Sequence, residues 1–245
     1  MTLPSSGPLS LQQINTEFAR GRNLNSYRGT VWWTDANANG VFSSGAIGIN
    51  AFYGKRPTSP VIPGDILFTT PGTSSFTVPA YNSLTVRAWG AGGYGSSFGS
   101  NPGNPGQPSS ILGLVAGGGQ NGTLSTQPGA GGYAAGGDIN IPGNPGNLGT
   151  QAGGDGSGGS SPNGGSGGAG GSFGTSPGGG GGGRFEGSFG GIYAAGGGGG
   201  GYVQKTYTPA QVPFGTIIYL TVGDLGNGGP GTIGNGTGQI YIFWS

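Results

Sequence analysis

Three chemically important kinds of residue are missing or scarce in this 245-residue sequence. It has no cysteine and no histidine, which excludes disulfide bonds and thiolate metal sites and removes the usual general base. Charged residues are few, with 8 Lys+Arg against 7 Asp+Glu and a net charge of +1. Because phosphate binding requires a basic face, no nucleic-acid partner is expected. We also expect no enzymatic activity, no metal and no cofactor.

Long apolar segments are missing too. The sequence contains no run of 18 apolar residues that could cross a bilayer. Its start, "MTLPSSGPLSLQQINTEF", has neither the basic n-region nor the apolar h-region of a signal peptide. We therefore expect a protein made in a cytoplasm, which would reach any site outside the cell by a route other than secretion.

What the sequence has in excess is glycine, at 65 residues, of which 47 lie among the 112 positions of 90–201. The segment 178–203, "GGGGGGRFEGSFGGIYAAGGGGGGYV", contains two runs of six. Glycine loses more backbone freedom on folding than any other residue, which favours a flexible linker. Large apolar side chains between the runs favour a folded structure instead, because a linker does not need them.

Two internal repeats also favour a folded structure. "GGYAAGG" at 131–137 recurs as "GIYAAGG" at 191–197, and "SFGSNPG" at 97–103 recurs as "SFGTSPG" at 172–178. An aromatic residue in fixed order with proline and glycine is not expected from low-complexity drift. We predict that Tyr133 matches Tyr193 in position and that Phe98 matches Phe173.

A folded glycine region requires a particular kind of helix. An extended left-handed helix of the polyproline II type has three residues per turn and no internal hydrogen bonds, so its backbone groups must bond to neighbouring helices. Glycine on every face suits the interior of such a bundle, as in runs 178–183 and 196–201. The segment 164–174, "GGSGGAGGSFG", has a period near three that suits an edge.

β-Strand patterns flank the glycine region on both sides. The segments 65–70, 74–79 and 83–89 precede it, and 203–208, 214–223 and 239–244 follow it; all are rich in β-branched and aromatic residues. Further candidates inside it are 111–115 and 138–141. We predict a mainly β fold in which the strands of one sheet assembly bracket residues 90–201, so that the glycine-rich stretch is an insertion into a folded domain at 65–245.

Residues 1–57 have ordinary composition and are predicted to form a small mixed attachment module, followed by a linker at 58–64. Ser10 and Gln13 form a capping-box pattern before a helix at about 11–19, and Asn39-Gly40 predicts a turn. So small a segment usually needs support from a larger body, so we expect it to dock onto another chain, although it could pack on itself. The candidate attachment residues are Leu11, Ile14, Phe18, Trp32, Trp33, Phe52 and Tyr53.

Two motifs in the sequence match nucleotide sites only superficially. "GAGGYG" (90–95) follows a strand as in dinucleotide-binding proteins, but neither the helix nor the acid about 20 residues later is present. "GINAFYGKR" (48–56) has the wrong glycine spacing for a phosphate loop and lacks its Ser or Thr. A hydrolase with paired carboxylates stays formally open, although no acidic pair stands out.

The sequence resembles bacteriophage proteins in two places. "LPSSGPLSLQQIN", closing with "INAFYGK", resembles a short N-terminal module of phage tail and other virion proteins over roughly 1–55. "FTTPGTSSFTVPAYNSLTVRAWGAGG" (68–93), with "IYLTVGDLGNGG" and "GQIYIFW", resembles the glycine-rich domain of phage tail-fibre proteins. Its layout is similar to the glycine-rich domain of anaplastic lymphoma kinase receptors. These resemblances imply a virion tail location. They also imply a jelly-roll-like β-sandwich over 65–245 that carries residues 90–201 as a polyglycine II helix bundle.

Phage tip adhesins, to which the glycine region is similar in architecture, carry aromatic host-contacting residues where their helices are joined. The resemblance implies attachment to other tail or fibre proteins and binding to a bacterial surface glycan or outer-membrane protein. A purely structural tail-tip or capsid decoration protein and a glycan-degrading enzyme are the alternatives. The sequence does not decide between a homotrimer and a single chain. The candidate receptor-binding residues are Tyr94, Phe98, Phe173, Arg184, Phe185, Glu186, Phe189 and Tyr193.

Overall fold

The computed structural model describes residues 2–35, 38–58, 60–96, 104–123, 127–149, 154–184, 194–225 and 236–245. The chain forms two compact units, residues 1–62 and 63–245. Each is described by itself.

The first unit contains one α-helix, two 3₁₀ turns and a hairpin. Helix α1 (Leu11–Phe18) begins at Ser10, whose side chain and that of Gln13 form the expected capping box. The 3₁₀ turns are Leu24–Tyr27 and Ile49–Phe52, and the hairpin pairs β1 (Val31–Trp33) with β2 (Asn39–Val41).

The Asn39-Gly40 turn prediction is wrong, because both residues lie within strand β2. Gly40 pairs with Trp32 across the hairpin, and a Cβ on Gly40 would lie 2.5 Å from the Trp32 ring. The glycine is therefore explained by the indole that covers it rather than by turn geometry.

This first unit has an apolar core of its own. Phe18, Tyr27, Phe42 and Phe52 are buried and pack edge to face or tilted, with ring centroids 4.5 to 5.9 Å apart. The other buried members of this core are Leu3, Leu9 and Ile14. A cluster of aromatic rings gives a short chain a large buried apolar area for its length, so the unit packs on itself.

The second unit is mainly β, with two antiparallel five-stranded sheets packed as a sandwich. The strands are β3 (Gly64–Phe68), β4 (Gly72–Thr77), β5 (Leu84–Trp89), β6 (Ser109–Ile111), β7 (Leu114–Ala116), β8 (Ala134–Ala135), β9 (Ile139–Ile141), β10 (Tyr202–Tyr207), β11 (Ile217–Val222) and β12 (Gln239–Trp244). One sheet has the order β3-β12-β5-β10-β9, and the other has the order β4-β11-β6-β7-β8. The predicted β-sandwich is confirmed.

Alternation along the strands places the core between the sheets. Leu84, Val86 and Ala88 on β5 are fully buried and face Leu220 and Val222 of the opposite sheet within one apolar cluster. The segment 111–115, expected to be one strand, instead contains the end of β6, the bend of a hairpin at Leu112-Gly113 and the start of β7. Leu112 and Gly113 have φ of 50° and 77°, a left-handed pair that turns the chain back on itself.

The glycine region leaves and re-enters the sandwich at adjacent strands. It begins after Trp89 of β5 and ends before Tyr202 of β10, and these two residues are paired in the sheet. Strands β6 to β9 lie within residues 90–201 and belong to both sheets. The glycine segments are therefore continuous with the sandwich rather than a separate appendage.

Candidate functional site

Between the strands, the glycine-rich segments bond to one another through their backbones. We call the described segments between residues 90 and 201, together with 236–238, the glycine lattice. Residues 194–201 exchange backbone hydrogen bonds of 2.7 to 3.3 Å with six segments: 90–96, 117–122, 129–133, 143–149, 154–161 and 178–184. Residues 178–184 likewise exchange backbone hydrogen bonds with six neighbouring segments. Both six-glycine runs are buried along their whole length.

The hydrogen bonds recur at every third residue. The amides of Gly90, Gly93 and Ser96 donate to the carbonyls of Gly201, Gly198 and Ala195. A Cβ on Gly197 would lie 2.1 Å from the carbonyl oxygen of Gly93, and one on Gly200 would lie 2.0 Å from that of Gly90. The segments lie so close together that only glycine fits at these positions.

One end of the lattice lies away from the sheets, and we call it the distal end. Ser96, Gly149, Gly154, Arg184 and Ala194 meet there: Arg184 N donates to Ser96 O, Gly149 N donates to Ala194 O, and Ala194 N donates to Gly154 O. The opposite end joins β5, β7 and β10 directly. The distal end is thus the part of the lattice where side chains can project without meeting the sandwich.

Two candidate receptor-binding residues lie at or next to this distal end. The side chain of Phe173 is 69% exposed, and Arg184 is also exposed. Their segments are joined by the bonds from Gly171 N to Gly183 O and from Gly182 N to Ser172 O. The structure therefore places an apolar ring and a guanidinium on the same end of the lattice.

A polar cleft lies between the lattice segments 117–122 and 129–133. It encloses about 500 Å³ and is lined by neutral residues, with no charge among them: Gln120, Asn121, Thr123, Gln127, Pro128 and Ala130. Amide and hydroxyl groups both donate and accept hydrogen bonds, so this lining can pair with sugar hydroxyls or peptide groups. Sequence reasoning missed this cleft, because isolated Gln and Asn residues in a glycine-rich stretch gave no motif.

Tyr94 corrects the expectation of an exposed aromatic contact. Its side chain is only 8% exposed, within lattice segment 90–96, where Gly122 N donates to the Tyr94 carbonyl. The ring is buried by neighbouring segments, so it is not part of the surface presented to a partner. Four further candidates (Phe98, Phe185, Phe189 and Tyr193) and Glu186 lie outside the described residues.

The two copies of the repeat at 131–137 and 191–197 differ in their surroundings where the structure describes them. Ala134 and Ala135 form the short edge strand β8, whereas Ala194 and Ala195 are fully buried and begin the central lattice segment. Tyr133 is 59% exposed, and its ring lies over Gly117, whose Cβ would meet it at 2.4 Å. The Ala-Ala-Gly-Gly part of this repeat thus lies at a sheet edge in the first copy and in the interior of the lattice in the second.

The candidate attachment residues are also corrected in part. Ile14, Phe18 and Phe52 are buried in the core of the first unit, so their side chains cannot contact another chain. Leu11, Trp32 and Tyr53 are half-buried against that core, and Lys55 Nζ lies 3.8 Å from the Trp32 ring centroid. Trp33 is half-buried and pairs through its backbone with Arg56.

Within the described ranges, no group of three or more Asp or Glu side chains could hold a metal ion. No helix among these same residues is long and apolar enough to cross a membrane. The chain matches no protein-family model, no curated protein and no solved structure.

Proposed function

We propose that this chain is a bacteriophage virion tail protein that presents the distal end of its glycine lattice to a receptor on the bacterial surface. The main support for this proposal is that exposed Phe173 and Arg184 lie at the same end of the lattice, whose other end continues into a β-sandwich. The resemblance of residues 1–55 and 68–93 to phage tail proteins supports the same assignment.

We further propose that the lattice segments are polyglycine II helices. Bonds at every third residue are what a helix with three residues per turn requires, and six neighbours around one segment match hexagonal packing. A backbone bonded in this way offers few accessible sites to proteases. Such a rigid support keeps the distal side chains in fixed positions without a large ordering cost on binding.

The first unit is proposed to attach the chain to other tail or fibre proteins. It carries five basic residues against two acidic ones, and Arg20, Arg22 and Arg28 are all exposed. Its own buried core leaves this charged surface as the part open to a partner. We therefore expect the attachment partner to present an acidic face, and attachment to weaken as salt is raised.

The test of receptor binding uses fluorescently labelled protein on a panel of bacterial strains. We expect binding to some strains only, and a reduction of about tenfold or more in the double variant Phe173→Ala/Arg184→Gln, because both exposed groups are lost. Tyr219→Phe is the control. Tyr219 is exposed on strand β11, away from the distal end, so this variant should bind as the wild type does. Equal binding by both variants would overturn the role of the distal end.

The alternative function is a purely structural tail-tip or capsid decoration protein. The burial of Tyr94 favours it, because one of the predicted contact residues instead fills the lattice. This alternative predicts that the protein binds no strain in the panel, while antibodies to it still label virions by electron microscopy.

A further inference from the structure

A second polar site lies on the sandwich itself, on the outer face of the sheet β3-β12-β5-β10-β9. An open cleft of about 500 Å³ is present there, lined by Pro63, Gly64, Asp65, Arg87, Tyr241, Phe243 and Trp244. Strand register creates it: Arg87 on β5 pairs with Tyr241 on one side and with Gln204 on the other, and Phe243 pairs with Asp65. These residues come from four neighbouring strands and form one continuous surface.

Arg87 is held in place by two contacts. Its Nε donates to Gln204 Oε1 at 2.9 Å, and its guanidinium carbon lies 5.0 Å from the Phe243 ring centroid. Gln204 Oε1 also accepts a hydrogen bond from the Tyr202 hydroxyl at 2.7 Å, which fixes the amide. The guanidinium therefore lies in a defined plane before any ligand arrives.

The terminal amino groups of Arg87 remain open to solvent. Among the described residues, neither Nη atom of Arg87 makes a hydrogen bond. Both reach solvent, because among those residues the buried side-chain nitrogen without a partner is Arg56 Nε and not an atom of Arg87. Two parallel N–H groups held on a fixed fork match the two oxygens of a carboxylate. The cleft thus presents a ready bidentate site for an anion.

Beside this fork lie an aromatic surface and a hydrogen-bond acceptor. The rings of Tyr241 and Phe243 are 5.5 Å apart with an interplanar angle of 35°, and together they form a broad apolar patch. The Asp65 carboxylate lies next to the Tyr241 hydroxyl: burial, then the charge of Asp65 and its hydrogen bond, raise the pKa of Tyr241. Asp65 is exposed, so its oxygens can also accept from a ligand hydroxyl.

We propose that this cleft binds an acidic sugar, a uronic acid within an oligosaccharide. The sugar carboxylate would pair with the Nη atoms of Arg87, the C–H face of the ring would lie on Tyr241 and Phe243, and a hydroxyl would donate to Asp65. Arg87 is the one cation in the lining, and its charge complements the carboxylate. The site is separate from the distal end and does not depend on receptor binding there.

The experiment is isothermal titration of the full chain with tri-galacturonic acid and with its methyl ester. The ester keeps the ring faces and hydroxyls but removes the negative charge. We expect the acid to bind at least tenfold more tightly than the ester. Arg87→Gln should remove that preference, whereas Arg22→Gln, which makes the same charge change on the first unit, should change affinity by less than twofold.

A second pair of variants protects the test against loss of folding. Tyr241→Phe removes one hydroxyl from the cleft and should weaken binding about threefold, because the Asp65 carboxylate loses the neighbouring hydroxyl that holds it in position. Tyr219→Phe removes a hydroxyl from the opposite sheet and should have no effect. Thermal unfolding of each variant shows whether the fold is kept.

Equal affinity for acid and ester, no binding of either at about 10 mM, or equal effects of Arg87→Gln and Arg22→Gln would each overturn the proposal. Failure of receptor binding on bacterial strains would leave this result unaffected. Sugar binding without attachment to any strain would count against the proposed receptor function alone.

Discussion

The sandwich and the glycine lattice are stabilised in opposite ways. Between the sheets, stability comes from side chains such as Leu84, Val86 and Ile242, which are fully buried against each other. In the lattice it comes mainly from backbone hydrogen bonds between segments that carry glycine at most points of contact. Removing atoms should therefore damage the sandwich, and adding atoms should damage the lattice.

The largest effect is expected from one added methyl group in the lattice. In Gly200→Ala the new Cβ would lie 2.0 Å from Gly90 O and 2.5 Å from Gly90 C, which are backbone atoms that cannot move independently. We expect a loss of about 3 kcal/mol or more in the free energy of unfolding, measured by urea denaturation. Ala169→Ser, at an exposed edge position, is the control. A stable Gly200→Ala variant would contradict the close packing.

In the sandwich the corresponding change removes atoms. Leu220→Ala deletes a side chain that is 1% exposed and packs between the sheets, so it should cost about 2–5 kcal/mol of unfolding free energy. On the same strand, Ile217 points to the outer face and is 57% exposed. Ile217→Ala should therefore change stability by less than about 0.5 kcal/mol. Similar losses in both variants would mean that the two faces of β11 are misassigned.

A smaller effect is expected where a side chain supports the lattice. Ser161 is buried, and its hydroxyl donates to the carbonyl of Gly200 at 2.8 Å. Ser161→Ala should cost about 1 kcal/mol, because a buried carbonyl loses a donor. Ser172→Ala, at an exposed turn, should be neutral in the same urea series. A neutral Ser161→Ala would mean that backbone bonds alone maintain this part of the lattice.

The smallest effect appears only at high pH. Burial, and next the charge of Asp138, raise the pKa of Tyr207 to about 12, while its hydroxyl donates to Leu112 O at 3.3 Å. The unfolded chain ionises this group near pH 10, so its contribution is intact below pH 10 and is lost as pH rises toward 12. Tyr207→Phe should therefore flatten the fall in Tm between pH 10 and 12. An unchanged slope would exclude Tyr207 as a contributor.

Strand patterns were the most predictable part of the fold. The segment 83–89 was identified as a strand and forms β5, and capping chemistry identified the start of helix α1. The hairpin at Leu112-Gly113 was not predicted, because a left-handed leucine gives no sequence signal. Asn39-Gly40 misled because the glycine fits under Trp32 from another strand, a contact that local sequence does not contain.

The candidate site was harder to predict than the fold. Phe173 and Tyr94 are both aromatic residues within glycine-rich sequence, yet one is exposed and the other buried. Which of them a neighbouring segment covers depends on the arrangement of segments far apart in sequence. The cleft at Arg87 was missed for the same reason, because its residues are brought together by strand register and not by spacing along the chain.

The position of residues 194–201 at the centre of the lattice determines the order in which the protein can fold. All six segments around it precede it in the chain, and they have no common centre until residue 201 has been synthesised. Strand β12 then inserts between β3 and β5, which are separated from it by more than 140 residues of chain. A nascent chain therefore cannot complete the glycine lattice or the sandwich in stages. Folding of both must be late, highly non-local and slow.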